Sequence, residues 1–223
     1  MAPHRPVILG ISGSERPAGN TRLALERAGE LVHARDAEFR VIALRDHLIT
    51  PCGPCGDCNS RPTPCTIQDD VPAIVEQMKA ADGIIYAVPV HGFGMAHPMQ
   101  IFIERAGVGH LRFERPLANK VGGVIVIGRR YSDTAVHSQL VDNILLNRMI
   151  LVGSGFPVLL RNASDQPGLT DTEGLDAMER MISRMIDMVE LLKRHEDAGP
   201  GPVLPPDDVN ERAQRRPRMA PTP

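Results

Sequence analysis

The sequence predicts an α/β protein, a doubly wound three-layer sandwich built on a five-stranded parallel sheet. Three observations predict it. Short apolar runs alternate with helical patterns along the chain, as strands do when crossover helices join them. The runs are continuously apolar, so each strand is expected to be buried on both faces, which requires helices on both sides of the sheet. The pattern runs from residue 6 to about 195 of the 223 residues with no second core.

The elements follow in order. "PVILGIS" (6–12) reads as the first strand, and "TRLALERAGELVHAR" (21–35) carries Leu23, Leu25, Ala28, Leu31 and Val32 at helical spacing. "FRVIALR" (39–45) is the second strand, and "VPAIVEQMKAAD" (71–82) a helix with Asp69 or Asp70 suited to its N-cap. "GIIYAVPV" (83–90) is the third strand, followed by a helix near 96–106. "KVGGVIVIG" (120–128) is the fourth strand, "SQLVDNILLNRMI" (138–150) a helix, and a fifth strand lies within "VGSGFPVLLR" (152–161). The last helix starts where Thr170 and Glu173 have capping-box spacing. Its Leu175, Met178, Ile182, Met185, Val189 and Leu192 recur in steps of three and four. One apolar stripe is what any surface helix needs to dock on a sheet, although a dimer seam would use the same stripe. The expected division is one domain over 1–196 and a Pro-rich, disordered tail over 197–223, whose arginines are either solvated or meet a partner.

Composition narrows the function. A hydrophobic share of 42% and a charged share of 23% describe an ordinary globular chain, and a net charge of -2 gives no footprint for nucleic acid or an anionic membrane. No run approaches the roughly 18 apolar residues of a membrane span. "MAPHRPVILGISGSERPAGN" has no apolar stretch of signal-peptide length, so the expected location is cytoplasmic, where thiols stay reduced. A chain of this length needs no disulfide staple.

In a doubly wound sheet, ligands bind beyond the carboxyl ends of the strands, so the loops after strands one, three and four should carry function. "GISGSERPAGNT" (10–21) is rich in Gly, hydroxyls and Asn and leads into a helix, an arrangement that receives an anion. It lacks the Walker lysine and the dinucleotide glycine pattern, and suits a terminal phosphate monoester such as that of FMN. "AVPVHGFGMAHPM" (87–99) sets glycines beside bulky side chains and can lie against a flat ring. Its His91 and His97 lack the companions of a metal site. "VIGRRYSDTA" (126–135) brings Arg129, Arg130 and Tyr131 to the same edge, to meet a phosphate or to be solvated.

All four cysteines fall in "PCGPCGDCNSRPTPC" (51–65), as Cys52, Cys55, Cys58 and Cys65. Three thiols three residues apart, with a fourth after a short loop, resemble the ferredoxin run that holds a 4Fe–4S cubane. Structural zinc usually takes two separated Cys-x2-Cys knuckles. Zinc and thiols without metal remain open alternatives.

"GSERPAGNT", "DDVPAIVEQMKAADGIIYAVPVHGFG" and "IFIERAG", in this order and spacing, resemble the NADPH-dependent FMN reductase family, and with the cysteines its iron–sulfur flavoprotein branch. The resemblance implies a flavodoxin-like fold with sheet order 2-1-3-4-5. It implies FMN, its phosphate held by Ser12, Ser14, Arg16, Asn20 and Thr21, and its ring lined by Pro89, Val90, His91, Gly92, Phe93 and Gly94, with Gly128 and Arg129 completing the site. It also implies a 4Fe–4S cluster on Cys52, Cys55, Cys58 and Cys65, NAD(P)H or ferredoxin as electron donor, a small oxidant, quinone or flavin as acceptor, and a homodimer or homotetramer. Glu15 and His91 stand where the family commonly has proline and an aromatic, and Gln100 where lysine is frequent. With no Trp and only Tyr86 and Tyr131, the chain is poorly supplied to sandwich a flavin as electron-shuttle flavodoxins do.

The resulting expectation is an oxidoreductase in which the cofactors carry the chemistry, with His91 as the one candidate proton donor. A cluster-free NAD(P)H-dependent FMN or quinone reductase is the alternative within the class, and a non-catalytic flavin- or zinc-binding interaction module the alternative outside it.

Overall fold

A computed structural model describes residues 4–53, 55, 58, 65–162, 167–199 and 201–203. Most of the tail and the interior of the cysteine stretch, including Gly56, lie outside the described residues.

The apolar runs form parallel strands β1 (Val7–Ser12), β2 (Glu38–Ala43), β3 (Gly83–His91) and β5 (Val121–Gly128). β1 pairs with β2 and β3, and β3 with β5, placing Gly10 between Val41 and Ile85 and Tyr86 beside Val124. The remaining edge position is shared. β6 (Ile150–Leu151) pairs with Val121–Gly122, and β7 (Val158–Arg161) with Ile125–Gly128. The fifth strand expected within 152–161 is β7, and the additional two-residue β6 precedes it, separated from it by an excursion. Gly155 is left-handed there (φ 100°), and Pro157 has no N–H to give to a ladder. A two-residue β4 (Gly94–Met95) folds back antiparallel on β3, so the sheet has seven strands in the order 2-1-3-5-6, with β4 and β7 pairing off that path. Apart from β4 and the split edge, this is the expected 2-1-3-4-5 succession of a flavodoxin-like sheet.

Helices α1 (Asn20–His33) and α5 (Thr172–Asp197) cover one face of the sheet. Helices α2 (Val71–Ala80), α3 (His97–Ala106) and α4 (Asp133–Leu146) cover the other. The α5 stripe packs on the sheet. Met178, Ile182, Met185 and Val189 are buried there, and Leu175 and Leu192 lie at its partly buried ends. Each fully buried side chain of this size contributes about 1.5–3 kcal/mol, so the stripe is spent on the core.

The starts of α5 and α4 differ from expectation, and that of α2 agrees with it. The N-cap of α5 is Asp171, one residue beyond Thr170, and its carboxylate accepts from Gly174 N at 2.9 Å and Arg161 N at 2.8 Å. The carboxylate thus ties the helix start to the end of β7, which a local capping box cannot do. Asp70 is the N-cap of α2, but the helical amide of Val71 donates to Asp69 Oδ1 (3.2 Å), while Asp70 accepts from Leu48 N (2.8 Å). Helix α4 begins five residues earlier than the periodicity suggested, directly after β5 and its short loop. No helix among the described residues is long and apolar enough to cross a membrane.

Candidate functional site

The carboxyl ends of β1, β3, β5 and β7 open onto a cleft of about 430 Å³. Ser14, Arg16, Asn20, Thr21, Pro89, Val90, His91, Gly128 and Arg129 all line it. Three separate loops, far apart in sequence, converge there because each follows a strand of one parallel sheet. Ser12, Gly92, Phe93 and Gly94 do not line the cleft.

Ser12 is turned inward at 3% exposure, its hydroxyl 3.5 Å from Ser14 N. It shapes the loop from beneath. Ser14 Oγ in turn accepts from Arg16 N at 3.2 Å, which leaves its O–H proton free to rotate toward a guest. The N-cap of α1 is Gly19, which has no side chain to satisfy the first-turn amides. Those N–H groups and the positive end of the helix dipole therefore face the cleft. Arg16 and Arg129 add positive charge, and no carboxylate lines the cleft among the described residues. Glu15, which could have opposed an anion here, instead lies 3.5 Å from His97 Nε2.

Sequence reasoning missed part of this wall. Asn162 and Pro167 also line the cleft. Asn20 Oδ1 accepts from Gly168 N at 2.7 Å, and Asn162 Nδ2 donates to Gly168 O at 2.7 Å. The two asparagines pin the 167–168 segment across the mouth of α1. The Asn20 partner is 148 residues away, so no local pattern announces it. With its Oδ1 engaged, Asn20 has its amide N–H2 left for the cleft.

The third-strand loop is a tight hairpin. Val90 pairs with Met95 and His91 with Gly94. Gly92 (φ 54°) and Phe93 (φ 66°) are both left-handed at the turn, as a two-residue primed turn requires. Phe93 is 74% exposed and meets the exposed ring of Tyr131 at a 6.3 Å centroid separation. In the chain these two residues follow the lining residues His91 and Arg129 by two positions, so the pair forms an exposed aromatic shelf on the loops that carry the cleft. The other tyrosine, Tyr86, is wholly buried, and burial holds its phenol protonated.

Beneath the fourth-strand loop, a Cβ added at Gly128 would lie 3.1 Å from Asp133 Cβ, so the close approach of α4 leaves little room for a side chain here. Asp133 is buried, and Arg161 Nε donates to its Oδ2 at 2.7 Å. That hydrogen bond outweighs burial and holds the carboxyl below its ordinary range.

The cysteine segment enters from β2 and returns beside α3. Its four thiols are free of disulfides; Cys52 and Cys55 are exposed, Cys58 and Cys65 half-buried. No group of three or more His, Cys, Asp or Glu is already gathered for a metal among the described residues. Cys65 is docked on a rigid feature. Arg105, 2% exposed near the end of α3, donates Nη2 to Cys65 Sγ at 3.5 Å. Its Nη1 donates to the Thr50 carbonyl and, at 2.7 Å, to Asp69 Oδ2. Burial pushes the Asp69 carboxyl up, but Arg105 and the amides of Thr50 and Val71 outweigh it and hold it below the usual range. Two buried nitrogens in this neighbourhood, Arg105 Nε and His110 Nε2, have no hydrogen-bond partner among the described residues. Four thiols closely spaced in sequence, the last of them beside a buried guanidinium, fit a sulfur-rich anionic cluster. In the same way, the uncapped α1 start, the serine hydroxyl and the arginines fit the phosphate of FMN.

A parallel sheet with this order, and a cleft at its switch point lined by Arg16, Arg129 and a helix N-terminus, defines a flavodoxin-like flavoprotein. The chain belongs to the NADPH-dependent FMN reductase family, whose sequence model matches residues 6–162. It is similar to the iron-sulfur flavoprotein MJ1083 of Methanocaldococcus jannaschii, at 31% identity over 84% of this chain and 99% of that protein. It is also similar to the iron-sulfur flavoprotein of Methanosarcina thermophila, at 30% identity over 85% and 98%. Among solved structures, RosB with a bound 8-demethyl-8-formylriboflavin-5'-phosphate intermediate superposes with a TM-score of 0.66 at 18% identity, covering 97% of this chain and 93% of that one. At that identity the likeness speaks for the fold. The protein is an FMN-dependent oxidoreductase.

Proposed function

We propose that the protein moves electrons between a reduced donor, NAD(P)H or a ferredoxin, and a small acceptor, using FMN in the cleft and a 4Fe–4S cluster on Cys52, Cys55, Cys58 and Cys65. The observation that carries the reading is the convergence of Ser14, Arg16, Asn20 and Thr21 with Pro89–His91 and Gly128–Arg129 on one cleft. Bound FMN supplies two-electron or stepwise one-electron transfer, and a cluster supplies single electrons.

The chain's own residues bind, orient and gate. The α1 amides, Ser14 hydroxyl, Asn20 amide and Arg16 hold the phosphate. Asn20 and Asn162 would keep the 167–168 segment fixed beside that phosphate. Pro89, Val90 and Gly128 offer backbone and small side chains to a flat ring, while Asp133 and Arg161 brace Gly128 from below. His91 is exposed at the rim, where its imidazole can hold or deliver a proton to a reduced guest. Phe93 and Tyr131, whose rings meet at 45°, offer exposed aromatic surface on which a flat acceptor such as a quinone or a second flavin can stack. The cytoplasm as location and a homodimer or homotetramer as assembly belong to the same proposal, as does the division at 196 and 197.

Anaerobic purification followed by iron, acid-labile sulfide, zinc and FMN analysis per chain tests the reading. About four irons and four sulfides with one FMN are expected, together with reduction by NAD(P)H or ferredoxin. A cluster-free NAD(P)H-dependent FMN or quinone reductase is the second reading. It is favoured by the exposure of Cys52 and Cys55 and by the lack of a pre-gathered metal site among the described residues. FMN without iron, even after cluster reconstitution, would establish that alternative.

A further inference from the structure

We propose that Arg105 is a positioning residue that fixes Cys65 as the fourth cluster ligand and raises the cluster's reduction potential. The inference rests on the cluster reading above. Six residues separate Cys65 from Cys58, whereas the other three thiols follow each other at intervals of three, so Cys65 depends on an outside anchor for its place. The structure supplies one. Arg105 forks across three partners, with Nη1 on the Thr50 carbonyl and on Asp69 Oδ2 (2.7 Å), and Nη2 on Asp69 Oδ1 (3.4 Å) and on Cys65 Sγ (3.5 Å).

The fork cannot swivel. Asp69 has a fully buried side chain and is itself held by Thr50 N at 3.0 Å and Val71 N at 3.2 Å. The turn after α3 closes from the other side, since a Cβ at Gly109 would lie only 3.1 Å from Cys65 Cβ. A planar guanidinium held in this way presents N–H groups to sulfur in one direction, which an ammonium on a flexible stem does not reproduce. Arg105 Nε and His110 Nε2 are buried beside it without partners among the described residues, further donor capacity at the same place.

Hydrogen bonds to a ligating sulfur stabilise the more negative, reduced state and raise the potential. The positive pole of the Arg105–Asp69 pair faces the sulfur, so its charge acts in the same direction. Helix α3 also begins directly after the β3–β4 hairpin that borders the flavin cleft, and it carries Arg105 in its last turn. One rigid helix thus spans from the cleft to the cysteine segment.

The test is Arg105→Lys in the full chain, purified without oxygen. Lysine keeps the charge opposite Asp69 and removes the second nitrogen that reaches Cys65. Iron and FMN are counted per chain, and cluster and flavin potentials are measured in dye-mediated titrations with dithionite, followed by EPR and absorbance. The expected result is a cluster whose one-electron reduction constant falls about tenfold, a shift of roughly 59 mV to lower potential, with faster iron loss to a chelator. FMN content and the flavin potential should not move. An unchanged cluster potential with full iron overturns the inference while leaving the cluster reading intact. Wild-type protein that takes up no iron on reconstitution sinks the cluster reading, and this inference with it. The second measurement needs no variant: wild-type protein grown with 15N-arginine should show a nitrogen hyperfine coupling to the reduced cluster in pulsed EPR. No arginine coupling in an iron-replete sample overturns the proposal even if the lysine variant fails to fold.

Discussion

Asn20 has two separable jobs, and two substitutions pull them apart. Its Oδ1 accepts from Gly168 N at 2.7 Å, strapping the 167–168 segment down, and under the proposed function its remaining N–H2 is a donor for the FMN phosphate. Asn20→Ala removes both. A lost hydrogen bond to a charged group costs about 1.5–3 kcal/mol, which weakens FMN binding about 10- to 150-fold at 1.4 kcal/mol per factor of ten. Without its strap the apo protein should lose about 1 kcal/mol, a melting shift of roughly 2–4 °C for a domain of this size. Asn20→Asp keeps an acceptor for Gly168 but replaces the donor with a negative charge. At about 4 Å and an effective dielectric near 20, each like-charge pair costs about 4 kcal/mol, so affinity should fall beyond about a thousandfold, less in high salt. The two orders cross. Apo stability should run wild type ≈ Asp above Ala, and FMN affinity wild type above Ala above Asp. Flavin fluorescence titration and thermal melts of the apo forms read both. If Asp binds FMN as well as Ala does, the phosphate does not sit at the start of α1.

Other perturbations follow from buried contacts. Arg105→Met leaves the Asp69 carboxylate unpaired in the interior and should cost about 3–5 kcal/mol in urea melts, while Arg105→Met combined with Asp69→Leu should recover only part of that loss, because leucine leaves the Thr50 and Val71 amides without their acceptor. The folded pKa of Asp69 is depressed, so its contribution in the wild type is present above the unfolded value near 3.9 and is lost as pH falls through the folded value. In Arg105→Met that carboxyl should titrate higher, so the stability gap between variant and wild type should narrow in acid; a gap independent of pH would contradict the ion pair. Gly174→Ala, normally favourable in a helix by about 1 kcal/mol, should destabilise here. Its Cβ would fall 2.5 Å from the Leu159 carbonyl oxygen, and a raised melting temperature would disprove that packing. Phe93→Gly relieves a left-handed phenylalanine, a strain of about 1–2 kcal/mol, so stability should hold or rise while KM for a quinone acceptor increases several-fold. An unchanged KM would remove the aromatic shelf from acceptor binding.

Much of this was legible without coordinates. The strands are continuous apolar runs because both faces of the sheet are covered, and the α5 stripe is a core stripe because its spacing allows only one buried face. The loop from Ser12 to Thr21 shows its suitability for an anion in composition, since hydroxyls, glycine and a following helix are local properties. What stayed hidden depends on neighbours distant in the chain. Asn162 and Pro167 reach the cleft only because β7 ends beside β5. Arg105 sits in the quoted "IFIERAG" segment, yet its partners Asp69 and Cys65 lie 36 and 40 residues away. Phe93 and Tyr131 meet only after the hairpin and the fourth-strand loop are placed side by side. The capping residue of α5 moved to Asp171 because one carboxylate there satisfies both the helix and the end of β7.

The sequence by itself therefore determined the layers, the strand succession and the loops that face a ligand, since periodicity and turn composition act between residues a few positions apart. Tertiary structure decided which side chains in those loops point inward, what anchors Cys65, and where the edge strand breaks. These depend on burial and hydrogen-bond satisfaction between segments that only the closed sheet brings together.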